Sequence, residues 1–296
     1  MPRDGRHGII RRKGGGDMRF WKMNGAGNDF IILNNLEERL SEADFPRIAR
    51  TLCERRMSLG ADGLMVIEKP LRDGDFRMLF YNSDGSLGEM CGNGARCVCR
   101  YGYENGLAGE RQTVETTAGN VTGERIDKRS YRVRLNNPTV LDLERVAEID
   151  GREWRCAYVE LGNPGLPHAV VEYPGLRGAD ENALRELGRA LRWNAAFPKG
   201  ANVNFYERTG PDAFYERTFE RGVEDFTYAC GTGTASVAAV LTLKGAASGK
   251  RIRADMTGGT LYMDVERAGN QITGLYLTGP TNIVATGEVR DETLFP

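Results

Sequence analysis

Cys91-Gly92-Asn93-Gly94 and Cys230-Gly231-Thr232-Gly233 are two copies of one short pattern, Cys-Gly-x-Gly. Each precedes a stretch that reads as a helix, Ala95 to Tyr103 after the first and Thr234 to Leu243 after the second. A cysteine at a helix N-terminus feels the positive end of the helix dipole and nearby unpaired N–H groups, which favours its thiolate. Flanking glycines let backbone N–H groups come close to an anion. Two such elements point to two thiols acting on one anionic substrate. That is the arrangement needed to take a proton from one face of a carbon and return it to the other.

The match extends outward from the cysteines. Thr117-Ala118-Gly119 follows the first copy and Thr257-Gly258-Gly259 follows the second at nearly the same distance. Each block therefore reads strand, loop, Cys-Gly-x-Gly, helix, strand, Thr-x-Gly, strand. A repeat on this scale argues for duplicated domains rather than a solenoid. Short strands dominate elsewhere. Phe20 to Met23 and Asp29 to Leu33 flank a Gly-Ala-Gly turn, and Leu64 to Ile67, Phe76 to Phe80 and Thr113 to Thr116 are similar. Tyr131 to Leu135 and Phe214 to Glu220 alternate with the period of a half-buried strand. Trp154 to Leu161 and Ala169 to Tyr173 are strand-like, and amphipathic helices are expected over Phe45 to Arg55 and Asn182 to Leu191.

Asn136-Asn137-Pro138 marks the expected break between halves, because Pro ends a strand and Asn-Pro favours a turn. The expected organisation is residues 18–136 with 281–296 as a first lobe carrying Cys91, and 137–280 as a second lobe carrying Cys230. The lobes would face each other with a cysteine from each at the cleft. Residues 1–17 stand apart. They hold Arg3, Arg6, Arg11, Arg12 and Lys13 and end in three glycines. They read as a disordered N-terminal extension ahead of Met18, or a basic arm for an anionic partner. With no apolar stretch behind the basic residues, they do not read as a secretory signal.

The bulk numbers are those of a packed protein. The chain has 296 residues, 40% hydrophobic and 27% charged, with a net charge of −1. That length suits two domains, and the balanced charge gives no electrostatic case for nucleic acid. No apolar run approaches the ~20 residues of a membrane helix. The six cysteines are Cys53, Cys91, Cys97, Cys99, Cys156 and Cys230. Without an export signal they read as reduced cytoplasmic thiols. Cys97-x-Cys99 has the wrong spacing for zinc, so no metal is expected and these two read as buried small residues. No dinucleotide or P-loop fingerprint is present and no element requires a pyridoxal lysine, so no cofactor is expected.

The chemistry suits proton transfer at an amino-acid Cα. A thiolate can serve as a base tuned by its helix N-terminus. Backbone N–H groups of Gly92, Asn93, Gly231 and Thr232 can stabilise a carboxylate that gains negative charge. Inversion needs an acid opposite the base, so one cysteine is thiolate while the other is thiol.

These residues resemble the diaminopimelate epimerase family from Met18 to about Val289. The landmarks are Lys22 to Phe30, Gly60-Ala61-Asp62-Gly63, Tyr81 to Ser86, Met90 to Arg96, Gly162-Asn163-Pro164, Asn202 to Phe205, and Glu220-Arg221-Gly222 before Ala229 to Gly233. The resemblance implies an α/β (α+β) fold of two similar lobes, each a mainly antiparallel sheet wrapped round a central helix. It implies a pyridoxal-independent epimerase with Cys91 and Cys230 as the acid/base pair. It also implies substrate contacts from Asn28, Asn82, Asn163, Asn202, Glu220 and Arg221. Arg221 can take a carboxylate through two parallel bonds, and Glu220 can accept from an ammonium. A small-molecule amino-acid partner is implied, and a homodimer is common in the family.

The chain departs from the family pattern in places. Gly165-Leu166-Pro167 separates Gly-Asn-Pro from His168, leaving a supporting role for His168 open. Gly63 stands where some members carry glutamine, and the loop from Gly222 to Ala229 is one residue longer than in some. Other readings stay open: a racemase of another amino acid on the same fold, a proline racemase or related isomerase, or a non-catalytic thiol redox sensor or binding module.

Overall fold

The computed structural model describes residues 18–88, 90–290 and 292–294. The proposed N-terminal extension, residues 1–17, lies outside them. The described residues divide into two compact units, one formed by those up to Gly123 together with those from Thr281 onward, the other by Glu124–Pro280.

In the first unit, β1 (Met18–Gly25) and β2 (Asn28–Asn34) form an antiparallel hairpin. After the short α1 (Asn35–Glu38), α2 (Phe45–Cys53) crosses to β3 (Gly63–Glu68), which pairs parallel to β2. β4 (Phe76–Asn82) returns antiparallel and pairs with the two-residue β5 (Leu87–Gly88). Then α3 (Gly92–Glu104) leads to β6 (Arg111–Thr116), parallel to β4, and β7 (Gly119–Arg125) follows. Helix α2 turns Ile48, Ala49 and Leu52 onto one face of the sheet, where they meet Leu64 and Val66. Helix α3 packs on the β1–β2 hairpin. A sheet covered by helices on both faces buries successive strand residues, which is why Leu64 to Ile67 is a continuous apolar run.

The second unit opens with β8 (Ser130–Leu135) and the long β9 (Pro138–Ile149), and from β10 onward it repeats the plan. The antiparallel pair β10 (Arg152–Leu161) and β11 (Leu166–Glu172) leads through α4 (Glu181–Arg192) to β12 (Asn202–Gly210), parallel to β11. β13 (Ala213–Glu220) returns antiparallel, with β14 (Asp225–Thr227) against it. Helix α5 (Gly231–Leu243) then leads to β15 (Ile252–Met256), parallel to β13, and on to β16 (Gly259–Ala268) and β17 (Gln271–Pro280). Asp180 caps α4 by accepting from the Ala183 N–H at 2.8 Å, a bond worth about 1 kcal/mol. Helix α5 is buried from Gly233 to Thr242 all round and touches β10, β11, β12, β16 and β17. An apolar circumference is what such a central helix needs.

The last strand, β18 (Asn282–Val289), returns to the first unit and pairs antiparallel with β1. The division between units falls at Gly123 rather than at the Asn136-Asn137-Pro138 turn expected from the sequence. The reason is β8, whose ladder runs from Leu135 against Leu275 to Ser130 against Pro280 and ties it to the second unit. The Thr-x-Gly segments are the matching β6–β7 and β15–β16 turns. Gly119 and Gly259 there have φ of 105° and 129°, open only to glycine at low cost.

Candidate functional site

Both central helices begin earlier than the sequence suggests, at Gly92 and Gly231, so that Cys91 and Cys230 are their N-cap residues. Glycine's poor helix propensity hid the first turn. The N–H groups in the first turn of an ideal helix have no partner within it, which is what lets such a turn receive an anion.

In the first unit, pairing brings several expected residues to one end of the sheet. Gly25 pairs with Asn28, Phe30 with Gly63, and Gly63 with Asn82. The Asn93 amide donates to Asn28 Oδ1 at 2.6 Å, joining the head of α3 to the hairpin. Asn28 in turn donates to Asp62 at 3.2 Å. Asp62 and Asp29 share Arg55, at 2.8 and 2.6 Å, and Lys22 lies 2.7 Å from Asp29. Burial pushes the Asp29 carboxyl up, but hydrogen bonds from Arg55 and Lys22 outweigh it and hold the group below its ordinary value. Asn82 is fastened to its own turn, donating to Ser86 Oγ at 2.9 Å. Gly63 is a steric requirement here, because a Cβ would come 2.5 Å from the Phe80 ring. A side chain at this position, glutamine included, would require the Phe80 ring to move.

Helix α3 also holds a group the sequence reading passed over. Arg96 is fully buried and its guanidinium has no hydrogen-bond partner among the described residues. Burial lowers it to about 10, so it remains a cation at neutral pH, and its charge acts on Cys91, Cys97 and Cys99. Cys97 and Cys99 are pushed up to about 12 by burial and stay thiols, as does Cys53. Cys156 is raised to about 11 for the same reason.

In the second unit, Arg221 is exposed, and its Nη1 touches the Lys199 carbonyl at 3.5 Å. Glu220 accepts from the Thr227 hydroxyl at 2.8 Å. Asn202 is 3% exposed and accepts from the Arg221 N–H at 2.8 Å while donating to the Pro167 carbonyl at 3.3 Å. In this structure it clasps the turn that presents Arg221. Asn163 is exposed in the β10–β11 turn, joined to Pro164 by a cis bond. The inserted Gly165 packs on the Glu160 carboxylate, where a Cβ would collide. Glu160 also binds Tyr158 at 2.6 Å and Lys199 at 2.8 Å. His168 is fully buried and faces Asn204 at 3.2 Å. Burial lowers it to about 3, so it is a neutral buttress at physiological pH.

Cys230 departs from the expectation of an activated thiolate. It is 8% exposed, and burial, then the Glu220 carboxylate, push the thiol well above its ordinary value. The Thr232 hydroxyl, 3.5 Å from Sγ, and the Gly233 N–H pull the other way and are outweighed. The helix N-terminus favours the thiolate here, but desolvation dominates.

The two mixed units, each with a buried central helix, make a fold that has solved counterparts. It is shared with a hydroxyproline epimerase from Agrobacterium vitis, at a TM-score of 0.70 and 17% identity over 94% of both chains. It is shared also with methylitaconate-delta-isomerase, at 0.67 and 12% over 95% of this chain and 96% of that one. The sequence is more specific. A family model for diaminopimelate epimerase matches residues 20–140 and 161–284. The diaminopimelate epimerase of Aquifex aeolicus is 37% identical over 290 residues, covering 94% of this chain and 99% of the relative. That of Archaeoglobus fulgidus is 35% identical, covering 92% and 96%. The chain belongs to the diaminopimelate epimerase family, and it is an isomerase.

Proposed function

We propose that this isomerase interconverts LL- and meso-2,6-diaminopimelate through proton transfer at Cα by Cys91 and Cys230, in the supply of lysine and cell-wall precursors. The observation that carries the reading is the pairing, in one family member, of two N-cap cysteines on two buried helices. One thiolate removes the Cα proton and the other thiol delivers a proton to the opposite face, with roles exchanged in the reverse direction. The first-turn N–H groups of α3 and α5 receive the substrate carboxylate as it gains charge. Arg221 pairs with the distal carboxylate and Glu220 takes an ammonium, while Asn28, Asn82 and Asn163 contribute donors and acceptors at the rim. Asn202 serves by holding Arg221 in position.

The setting we infer is cytoplasmic, with a homodimer as the assembly to test by light scattering. Among the described residues no helix is long and apolar enough to cross a membrane. Deuterium wash-in at Cα in D₂O tests the reaction: the chain should exchange diaminopimelate and leave lysine, histidine and glutamate unlabelled. Exchange into one of those without diaminopimelate would instead make the protein a racemase of that amino acid.

A further inference from the structure

A cluster of buried polar groups lies behind Cys230, and the reaction as described uses none of it. Glu216 and Thr218 sit on β13, Asn204 on β12, Thr234 on α5 and His168 on β11; all are at most 3% exposed. Glu216 Oε2 is 2.8 Å from the Thr234 hydroxyl, which is also 3.0 Å from the Cys230 carbonyl oxygen. Glu216 Oε1 is 3.4 Å from the Thr218 hydroxyl, which is 3.0 Å from Asn204 Oδ1. The helix lies directly on these groups. A Cβ at Gly233 would strike Asn204 Oδ1 and come 3.2 Å from Glu216 Oε1.

Counting protons decides how the cluster is wired. The Asn204 amide nitrogen faces the carbonyls of Ala169 and Asn202, at 3.1 and 3.3 Å, so its oxygen is the atom facing Thr218. Thr218 has one hydroxyl proton and a better acceptor in Asn204 than in Glu216. Thr234 likewise has one proton for two oxygens. An ionised Glu216 would be a fully buried carboxylate with one short hydrogen bond and, among the described residues, no cation acting on it, which is costly. A carboxylic acid removes the conflict: it donates to Thr234, and Thr234 donates to Cys230.

We propose that Glu216 works as a protonated carboxylic acid, a positioning residue that holds Cys230 at the head of α5 through Thr234 and keeps a second negative charge away from its thiol. Burial pushes Glu216 up to about 8, in agreement with the proton count. The titratable groups around it are His168 on β11, which is neutral, Tyr206 opposite it on β12, raised to about 12, Glu220 further along β13, and Cys230 on α5. Above about pH 8 Glu216 ionises, ceases to donate to Thr234, and opposes formation of the Cys230 thiolate.

The proposal rests on Cys230 being an acid/base thiol, and Glu216→Gln tests it, since an amide can donate to Thr234 as the acid does. Two readouts are needed: kcat and KM for exchange in D₂O, and alkylation of Cys230 by iodoacetamide without substrate, each followed across pH. Glu216→Gln should keep kcat at pH 7 within about threefold, whereas Glu216→Leu and Thr234→Val should each lose about tenfold or more with KM little changed. In Glu216→Gln the alkylation profile of Cys230 should move to lower pH than in the wild type. Equal losses in Glu216→Gln and Glu216→Leu, or coincident alkylation profiles for wild type and Glu216→Gln, would overturn the proposal. Absence of exchange in the wild type would overturn the proposed function while leaving the alkylation arm to judge Glu216 by itself.

Discussion

The heads of α3 and α5 begin alike and then diverge. Each opens on an N-cap cysteine followed by Gly-x-Gly. Behind Cys91 the helix buries a cation, Arg96; behind Cys230 the second unit places Glu216 and Glu220. The two helix heads share a Cys-Gly-x-Gly turn and differ in the charge near it, a cation at Arg96 and a carboxylate at Glu220. A two-base reaction needs that difference, because at rest one sulfur must be charged and the other protonated. In the proposed reaction Cys230, pushed up by burial and by Glu220, suits the thiol, which leaves the thiolate to Cys91.

The largest test removes the comparison altogether. Cys91→Ala or Cys230→Ala alone should lower epimerisation at least about 10³-fold with little change in melting temperature, since each removes an acid/base group. A variant retaining a tenth of the activity would show that its cysteine is dispensable. Next, Arg221→Ala should raise KM for diaminopimelate about tenfold or more, with Arg221→Lys recovering only part, because lysine cannot make the two parallel bonds. An unchanged KM would remove Arg221 from the substrate's distal end.

Reactivity sharpens the contrast between the thiols. At pH 7, iodoacetamide should label Cys91 before Cys230 in peptide mapping, and Arg96→Met should slow labelling of Cys91 about tenfold without changing Cys230. Equal rates at the two sulfurs would erase the asymmetry.

The smallest effect is on stability. Burial raises Glu216 from 4.5 to about 8, so between those values the native state keeps a proton that the unfolded chain gives up. Its stabilising contribution is whole below about 4.5 and is lost as pH rises through about 8. His168, lowered from 6.5 to about 3, acts in the opposite sense and costs stability only as pH falls below about 6.5. Between pH 6.5 and 8, then, the wild-type melting temperature should drop by a few °C more than that of Glu216→Gln, roughly what about 1 kcal/mol does in a chain of this size. Parallel melting curves would mean that Glu216 is already ionised throughout.

Much of this architecture could be read from alternation and glycines. The strands of the β1–β2 hairpin, the amphipathic helices and the doubled cysteine blocks all follow from local pattern, whereas the parallel crossings appear only in the structure. The unit boundary could not be read this way, because β8 belongs to the second unit only through its ladder with β17, far away in the chain. Asn202 is a substrate contact by the family resemblance, but its amide is engaged with backbone that becomes adjacent on folding. Glu216 had a readable signal. The alternation of Phe214 to Glu220 puts Glu216 and Thr218 on the same face as Phe214, and a polar pair on an apolar face calls for buried partners. Arg96 had no comparable signal, since a helix buried on all sides has no polar face from which an arginine would be missing.

The pairing of β18 with β1 has a consequence for biosynthesis. Residues 124–280 leave the ribosome as an unbroken stretch, and the second unit has all its strands before β18 has been made. The first unit, although its β1 to β7 are translated earlier, keeps an open edge along β1 throughout that interval. It closes only when the final segment arrives, so the half of the protein that is begun first is finished last.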